Sequence, residues 1–212
     1  MDYLIVSGKY EKGNEEQKLG FIQLWGDEDI QGIFDLYFHW FNLIHELGHA
    51  LLRFQGIEMN SVEEEVFVNC FAVQYWKSVD KTGRIDEINK ISSKVVSRLS
   101  SVLPADVDFY SFYNALWETE DMFKTMVYGP FQMLCTQKAF GSTKSLETLL
   151  GEIGYQGLNF EALRLQEVDL AITEPTQIIE GCLENLKSIG CKTPVIGFEY
   201  SDNPEHQYCQ WL

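Results

Sequence analysis

An apolar segment with helical spacing that carries three ionisable side chains within five residues constrains this chain most. Apolar residues dominate positions 30–54 at the spacing of a helix, and Gly56 supplies a stop signal. Inside this segment, positions 45–49 read HELGH. Burying polar groups costs free energy unless something satisfies them. The segment therefore predicts a helix that needs a partner for its polar side chains.

The HELGH segment has the spacing of an HExxH zinc motif. Residues four apart lie on one helix face, so the imidazoles of His45 and His49 can bind one zinc ion. Glu46 is rotated from His45 by about 100° around the helix axis. From there it can reach a metal-bound water as a general base. The alternative is three polar groups on a partly exposed helix face, without a metal.

A third ligand is needed, and the residues after the motif limit its identity. The metzincin extension requires Gly at position 52 and His at position 55, whereas this chain has Leu52 and Gln55, which excludes that class. A carboxylate from the next helix would give a His₂Glu site. The candidates are Glu63, Glu64 and Glu65.

The pattern of the second helix, at positions 61–79, favours Glu65 and keeps Glu64 as the second candidate. Ser61 followed three residues later by Glu64 predicts a capping box, which assigns Glu64 to the helix end. Glu65 shares a mostly apolar face that points inward. The other residues on that face are Val68, Asn69, Ala72, Val73 and Trp76. A further alternative is that all three glutamates form a solvated first turn that complements the helix dipole.

The HELGHALL segment and the residues that follow it resemble a known family. Glu65, Asn69 and the pair Phe71-Ala72 come after a short gap, in the pattern of the gluzincin metallopeptidases. The pattern is most similar to the ImmA/IrrE-type branch, and the resemblance covers about residues 40–76.

The resemblance implies a zincin-like zinc peptidase in which a small sheet packs on the active-site helix and on a glutamate helix. By residue match, it implies that His45, His49 and Glu65 bind zinc and that Glu46 is the catalytic carboxylate. Asn69 would support the site from outside the ligand shell.

The rest of the chain predicts one mainly helical α+β domain over residues 1–212, with a small sheet on its N-terminal side. Positions 2–6 and 21–25 have strand-like composition and predict a hairpin. Positions 195–200 predict a further strand. Beyond the two helices already described, further helices are predicted at 85–103, at 145–153, at 175–188 and as two within 107–140, broken near Gly129-Pro130.

Composition excludes several classes of partner. The 32 acidic and 16 basic residues give a net charge of −16, which repels a phosphate backbone and excludes nucleic-acid binding. The same charge favours association with basic peptides.

The longest apolar run, at 33–44, is too short to span a bilayer, and no export segment is visible. Five cysteines without a CxxC pair indicate reduced thiols and a cytoplasmic protein. The oligomeric state stays open.

The leading hypothesis is a zinc peptidase acting on a peptide or protein substrate, with Tyr128 or His206 as candidate donors to the oxyanion. The predicted strand at 21–25 could pair with an extended peptide. Two alternatives remain: a zincin-like binding or regulatory protein with little turnover, and a structural zinc protein or metal-free helical protein. His39 is predicted to pack in the core. So is an aromatic cluster, although it could instead line a groove: Phe109, Tyr110, Phe112, Tyr113 and Trp117.

Overall fold

The computed structural model describes residues 3–98, 108–119, 122, 125–201 and 210–211. Over these residues the chain is mainly helical with a small sheet, which confirms the α+β prediction. The helices are α1 (Glu15–Trp25), α2 (Ile30–Leu36), α3 (Asn42–Phe54), α4 (Ser61–Val79), α5 (Arg84–Arg98), α6 (Phe109–Trp117), α7 (Thr125–Phe140), α8 (Leu146–Glu152) and α9 (Pro175–Ser188). Within the described part, every helix is too short or too polar to span a bilayer.

The sheet joins the two ends of the chain. Its strands are β1 (Tyr3–Ser7), β2 (Ile196–Tyr200) and β3 (Gln210–Trp211), in the order β2-β1-β3. β1 runs parallel to β2 and antiparallel to β3. The strand predictions for 2–6, from residue 3 onward, and for 195–200 are therefore confirmed.

The strand prediction for positions 21–25 is wrong, because these residues form the last turns of α1. Asn14 and Gln17 make a reciprocal capping box that starts the helix. Phe21, Leu24 and Trp25 are then buried together, at the i, i+3 and i+4 spacing of a helix face. The hairpin and the peptide-binding edge strand at 21–25 are thus both excluded.

Residues 30–54 are helical throughout, as predicted, with one irregularity. A five-residue π-helix (Tyr37–Phe41) joins α2 to α3, and Gly56 has a positive φ of 68° just after α3 ends. His39 is buried in the π-helix, which confirms its packing role. Its Nδ1 lies 2.9 Å from Asp35 Oδ1 and its Nε2 lies 3.0 Å from the Gly8 carbonyl oxygen.

α4 is the central helix, as its apolar sequence predicted. It packs against α3 and α7, and its buried residues surround the helix axis. Trp76 of α4 stacks on Trp40 of the π-helix, with ring centroids 4.0 Å apart. This central position places the inward face of α4 against the HELGH helix.

The helix break predicted near Gly129-Pro130 is wrong, because α7 continues through Pro130. A Cβ at Gly129 would lie 2.9 Å from Leu24 Cδ2, so this glycine lets α1 approach α7 closely. Pro130 is the sixth residue of α7, and the helix continues although this residue has no amide hydrogen to donate to the preceding turn. The interruption lies between α6 and α7 instead.

The aromatic cluster on α6 belongs to a second core, as predicted. Tyr113 is buried there with Val62, Phe131 and Cys135, and the other aromatic residues pack around them. The α5 prediction is confirmed as far as Arg98; positions 99–103, together with His206 and Cys209, lie outside the described residues.

The capping box predicted for Ser61 is also wrong, because α4 is capped one residue earlier. The side chain of Asn60 accepts a hydrogen bond from the amide of Glu63 at 3.0 Å, and Ser61 is the first helical residue. Glu64 is therefore free of the helix end, and its carboxylate turns toward α3.

We expect Asn60→Ala to lower the free energy of unfolding by about 0.5–2 kcal/mol, since it removes the cap of α4. Ser61→Ala is the matched control, and it should change stability by less than about 0.5 kcal/mol. Urea denaturation of both variants measures the difference. A larger loss in Ser61→Ala than in Asn60→Ala would restore the capping box.

Candidate metal centre

The two histidines of the HELGH segment lie one turn apart on the buried face of α3. Both are almost completely buried, with 2% and 6% of their surfaces exposed. The Nε2 atoms of His45 and His49 are 3.3 Å apart. Both histidines thus direct a ring nitrogen to the same point.

Gly48 lets α4 approach this face of α3. A Cβ at Gly48 would lie 3.1 Å from both Val68 Cβ and Val68 Cγ1, closer than ordinary contact. A larger residue there would push the two helices apart. The close crossing brings the inward face of α4 within reach of the imidazoles.

Glu65 reaches the two histidines from α4. Its Oε2 lies 3.3 Å from His45 Nε2, and its Oε1 lies 3.8 Å from His49 Nε2. One ligand atom from each of these three residues lies within 4.8 Å of the others. The structure therefore brings together the predicted triad, and this buried group could hold a metal ion.

The donor spacing fits a small tetrahedral ion. Ligand atoms about 2.0–2.1 Å from a tetrahedral zinc ion are separated from one another by about 3.3–3.4 Å. The separations between His45 and its two neighbours in the triad are both 3.3 Å and match this value, whereas Glu65 Oε1 and His49 Nε2 are 3.8 Å apart, somewhat farther than an occupied site would hold them. Two imidazole nitrogens and one carboxylate oxygen also form a donor set typical of zinc.

Glu64, the second candidate for the third ligand, lies behind His49. Its Oε1 is 2.5 Å from His49 Nδ1 and also accepts a hydrogen bond from Arg53 Nη1 at 2.7 Å. Burial alone would raise the pKa of Glu64, but its contacts with His49 and Arg53 lower it. An Nδ1–H donated to Glu64 leaves the Nε2 lone pair of His49 available to a metal. Glu64 therefore fixes the orientation of the His49 ring, whereas Glu65 belongs to the triad.

Two side chains of α7 hold Glu65. Gln132 Nε2 donates a hydrogen bond to Glu65 Oε2 at 2.7 Å, and the Tyr128 hydroxyl donates to Glu65 Oε1 at 3.3 Å. Burial alone would raise the pKa of Glu65. The hydrogen bond with His45, the charges of the two imidazoles and the bond from Gln132 lower it to about 2. Glu65 is therefore an anion, as a metal ligand must be.

Glu46 has a different environment from Glu65. It is buried beside the triad, and Asn42 Nδ2 donates a hydrogen bond to its Oε1 at 3.0 Å. Burial raises the pKa of Glu46, although the neighbouring imidazoles oppose this effect. The two carboxyl groups of the site therefore have pKa values shifted in opposite directions.

A cavity lies beside Glu46. Glu46, Asn42, Tyr37, Tyr128 and Gln132 are among the residues that line it. Tyr128, a predicted oxyanion donor, therefore lies at the site, whereas His206 lies outside the described residues. Burial, together with the charges of Glu65 and Glu46, raises the pKa of Tyr128 well above its ordinary value. Its hydroxyl therefore keeps its hydrogen at neutral pH.

Sequence reasoning missed Gln132, Asn42 and the contact of Glu64 with His49. Asn42 stands four residues before Glu46, so the i, i+4 rule could have indicated that pair. Gln132 is 67 residues from Glu65 in sequence, and no local pattern connects them.

No protein-family model, curated protein or solved structure matches this chain. The interpretation of the site therefore depends on its own geometry and chemistry.

We expect the purified protein to bind one zinc ion per chain and His49→Ala to lose it, because that variant removes one of three ligands. Metal analysis after dialysis measures the change. Full zinc retention in His49→Ala would contradict the assignment.

Glu64→Gln should weaken zinc binding by about 10–100-fold, since a carboxylate that orients a ligand contributes about that much. Glu63→Gln is the matched control from the same exposed turn, and its zinc affinity should equal that of the wild type. Competition with a chromogenic chelator gives both dissociation constants. Equal affinities in the two variants would show that Glu64 does not orient His49.

Proposed function

We propose that the chain is a zinc-dependent peptidase with a zincin-like site. The observation that carries this proposal is the buried triad of His45, His49 and Glu65 with Glu46 beside it and outside the ligand set. A site that only bound metal would not need a fourth, separately held carboxylate. The substrate would be a peptide or protein, and the acidic surface favours basic ones.

His45, His49 and Glu65 would hold the zinc ion, which would supply activation of a water molecule and polarisation of a carbonyl group. The carboxylate oxygens of Glu46 accept a proton from the attacking water. The raised pKa of Glu46 suits this step, because a general base works best when its pKa lies nearer the operating pH. Asn42 keeps the carboxylate in place through its bond to Oε1.

Tyr128 is the proposed donor to the tetrahedral oxyanion among the described residues. It lines the same cavity as Glu46, and its raised pKa keeps the hydroxyl protonated. A donor aimed at a developing oxyanion in a buried site contributes more than the same group would in water.

A cytoplasmic location agrees with the thiols. The described cysteines, Cys70, Cys135, Cys182 and Cys191, are all buried and free. Free thiols are typical of reducing compartments.

The enclosure of the site favours a second candidate, a zinc-holding binding or regulatory protein with little turnover. The triad residues and Glu46 are each between 2% and 6% exposed, so a peptide needs an opening movement to reach them. Turnover separates the two candidates, since the peptidase cleaves a peptide and the regulatory protein does not.

We expect Glu46→Gln to keep zinc and fold but to lose hydrolysis, with kcat falling about 10²-fold or more, because an amide cannot accept the water proton. A peptide-library cleavage assay, with zinc content measured in parallel, gives both quantities. Glu63→Gln serves as the control and should cleave as the wild type does. Equal cleavage by wild type and Glu46→Gln would contradict the proposed mechanism.

A further inference from the structure

Three polar side chains follow one another at four-residue spacing along the buried side of α7. They are Tyr128, Gln132 and Thr136, and they face Glu65 and Asn69, which are four residues apart on α4. This polar line crosses an otherwise apolar helix interface. Buried polar groups of this kind persist only when their donors and acceptors match.

The donors of this line are fully used. Asn69 Nδ2 donates to the Glu65 carbonyl oxygen at 2.9 Å and to Gln132 Oε1 at 3.0 Å. Gln132 Nε2 donates to Glu65 Oε2 at 2.7 Å and to the Tyr128 oxygen at 2.8 Å. A side-chain amide has two N–H donors, so neither nitrogen has one to spare.

The Gln132 amide has one allowed orientation. If it were turned over, its oxygen would face the Glu65 carboxylate at 2.7 Å, and its nitrogen would face the Asn69 amide nitrogen. The Glu65 carbonyl oxygen can only accept, so it fixes the orientation of Asn69, whose Oδ1 then accepts from the Thr136 hydroxyl at 2.9 Å. The hydrogen bonds of the line therefore all have one direction, with each donor on the Thr136 side and each acceptor on the side of the metal site.

This polarity decides what Tyr128 can do. Its oxygen accepts from Gln132, so its own hydrogen must point to another acceptor, and Glu65 Oε1 is 3.3 Å away. Tyr128 also lines the cavity beside Glu46, so an oxygen atom that enters this cavity can compete with Glu65 Oε1 for the hydrogen.

We propose that Gln132 is a positioning residue that sets the hydrogen-bond polarity of the metal site. One N–H holds Glu65 in place as the third ligand, and the other makes Tyr128 a donor toward the bound substrate. The inference rests on the proposed function and deepens it. Gln132 itself touches neither metal nor substrate.

Gln132→Met tests the proposal, because methionine has similar length and flexibility and no N–H donor. We expect zinc affinity to fall about 10–100-fold, since Glu65 loses its support. At saturating zinc, kcat should fall at least about 10-fold, because Tyr128 is no longer constrained to donate. KM should change little.

Gln137→Met is the matched control on the same helix. Gln137 Nε2 donates to Asn89 and Ser92, away from the metal site. This variant also loses hydrogen bonds, here between α7 and α5, so its thermal unfolding midpoint should fall. Its zinc dissociation constant and kcat should equal those of the wild type.

The outcomes separate the inference from the proposed function. Wild-type zinc affinity and kcat in Gln132→Met, or equal losses in Gln137→Met, would overturn the inference and leave the peptidase proposal intact. A wild type that binds zinc without cleaving any peptide would overturn the peptidase proposal and the effect of Gln132 on Tyr128. The zinc affinity of Gln132→Met would then decide whether Gln132 holds Glu65 in place. A wild type that binds no zinc would overturn both.

Discussion

The close crossing of α3 and α4 at Gly48 is the constraint on which the site depends. Since no side chain separates the helices there, Val68 packs against the backbone of α3. The carboxylate of Glu65 then lies 3.3 Å from His45. Trp40, in the π-helix that leads into α3, stacks on Trp76 of α4, so the apolar core also joins these two segments. Apolar packing thus brings the ionisable groups of α3 and α4 together.

The site contains two buried glutamate side chains, and their surroundings shift the two pKa values in opposite directions. Glu65 is surrounded by donors from α3 and α7, so it stays charged. Glu46 accepts a single neutral bond from Asn42, and burial makes its charged form costly. The opposite pKa shifts of the two glutamates are therefore caused by their neighbours, since the two side chains are chemically identical.

Helix periodicity and end signals in the sequence predicted the features that depend on residues within a few turns of one helix. The two histidines, Glu46 and the inward direction of Glu65 all follow from helix periodicity. The predicted limits of α9 were correct because Pro175 starts it and its apolar residues recur at helical spacing. Positions 21–25 were misjudged because five residues cannot distinguish a buried helix face from a strand, and the deciding cap lies at Asn14. Contacts between distant segments, such as Gln132 with Glu65, depend on how α7 crosses α4, and no spacing in the sequence encodes that crossing.

The sheet has a consequence for the order in which the chain can fold during synthesis. β1 pairs with β2, and the two strands are separated by nearly the whole described chain. The ribosome releases the N-terminal part first, so β1 emerges long before β2 exists. Closing so long a loop also costs entropy that must be repaid by contacts formed earlier. α3 and α4 are neighbours in sequence and can meet while synthesis continues. The helices that carry the histidines and Glu65 can therefore assemble first, and the sheet is completed last.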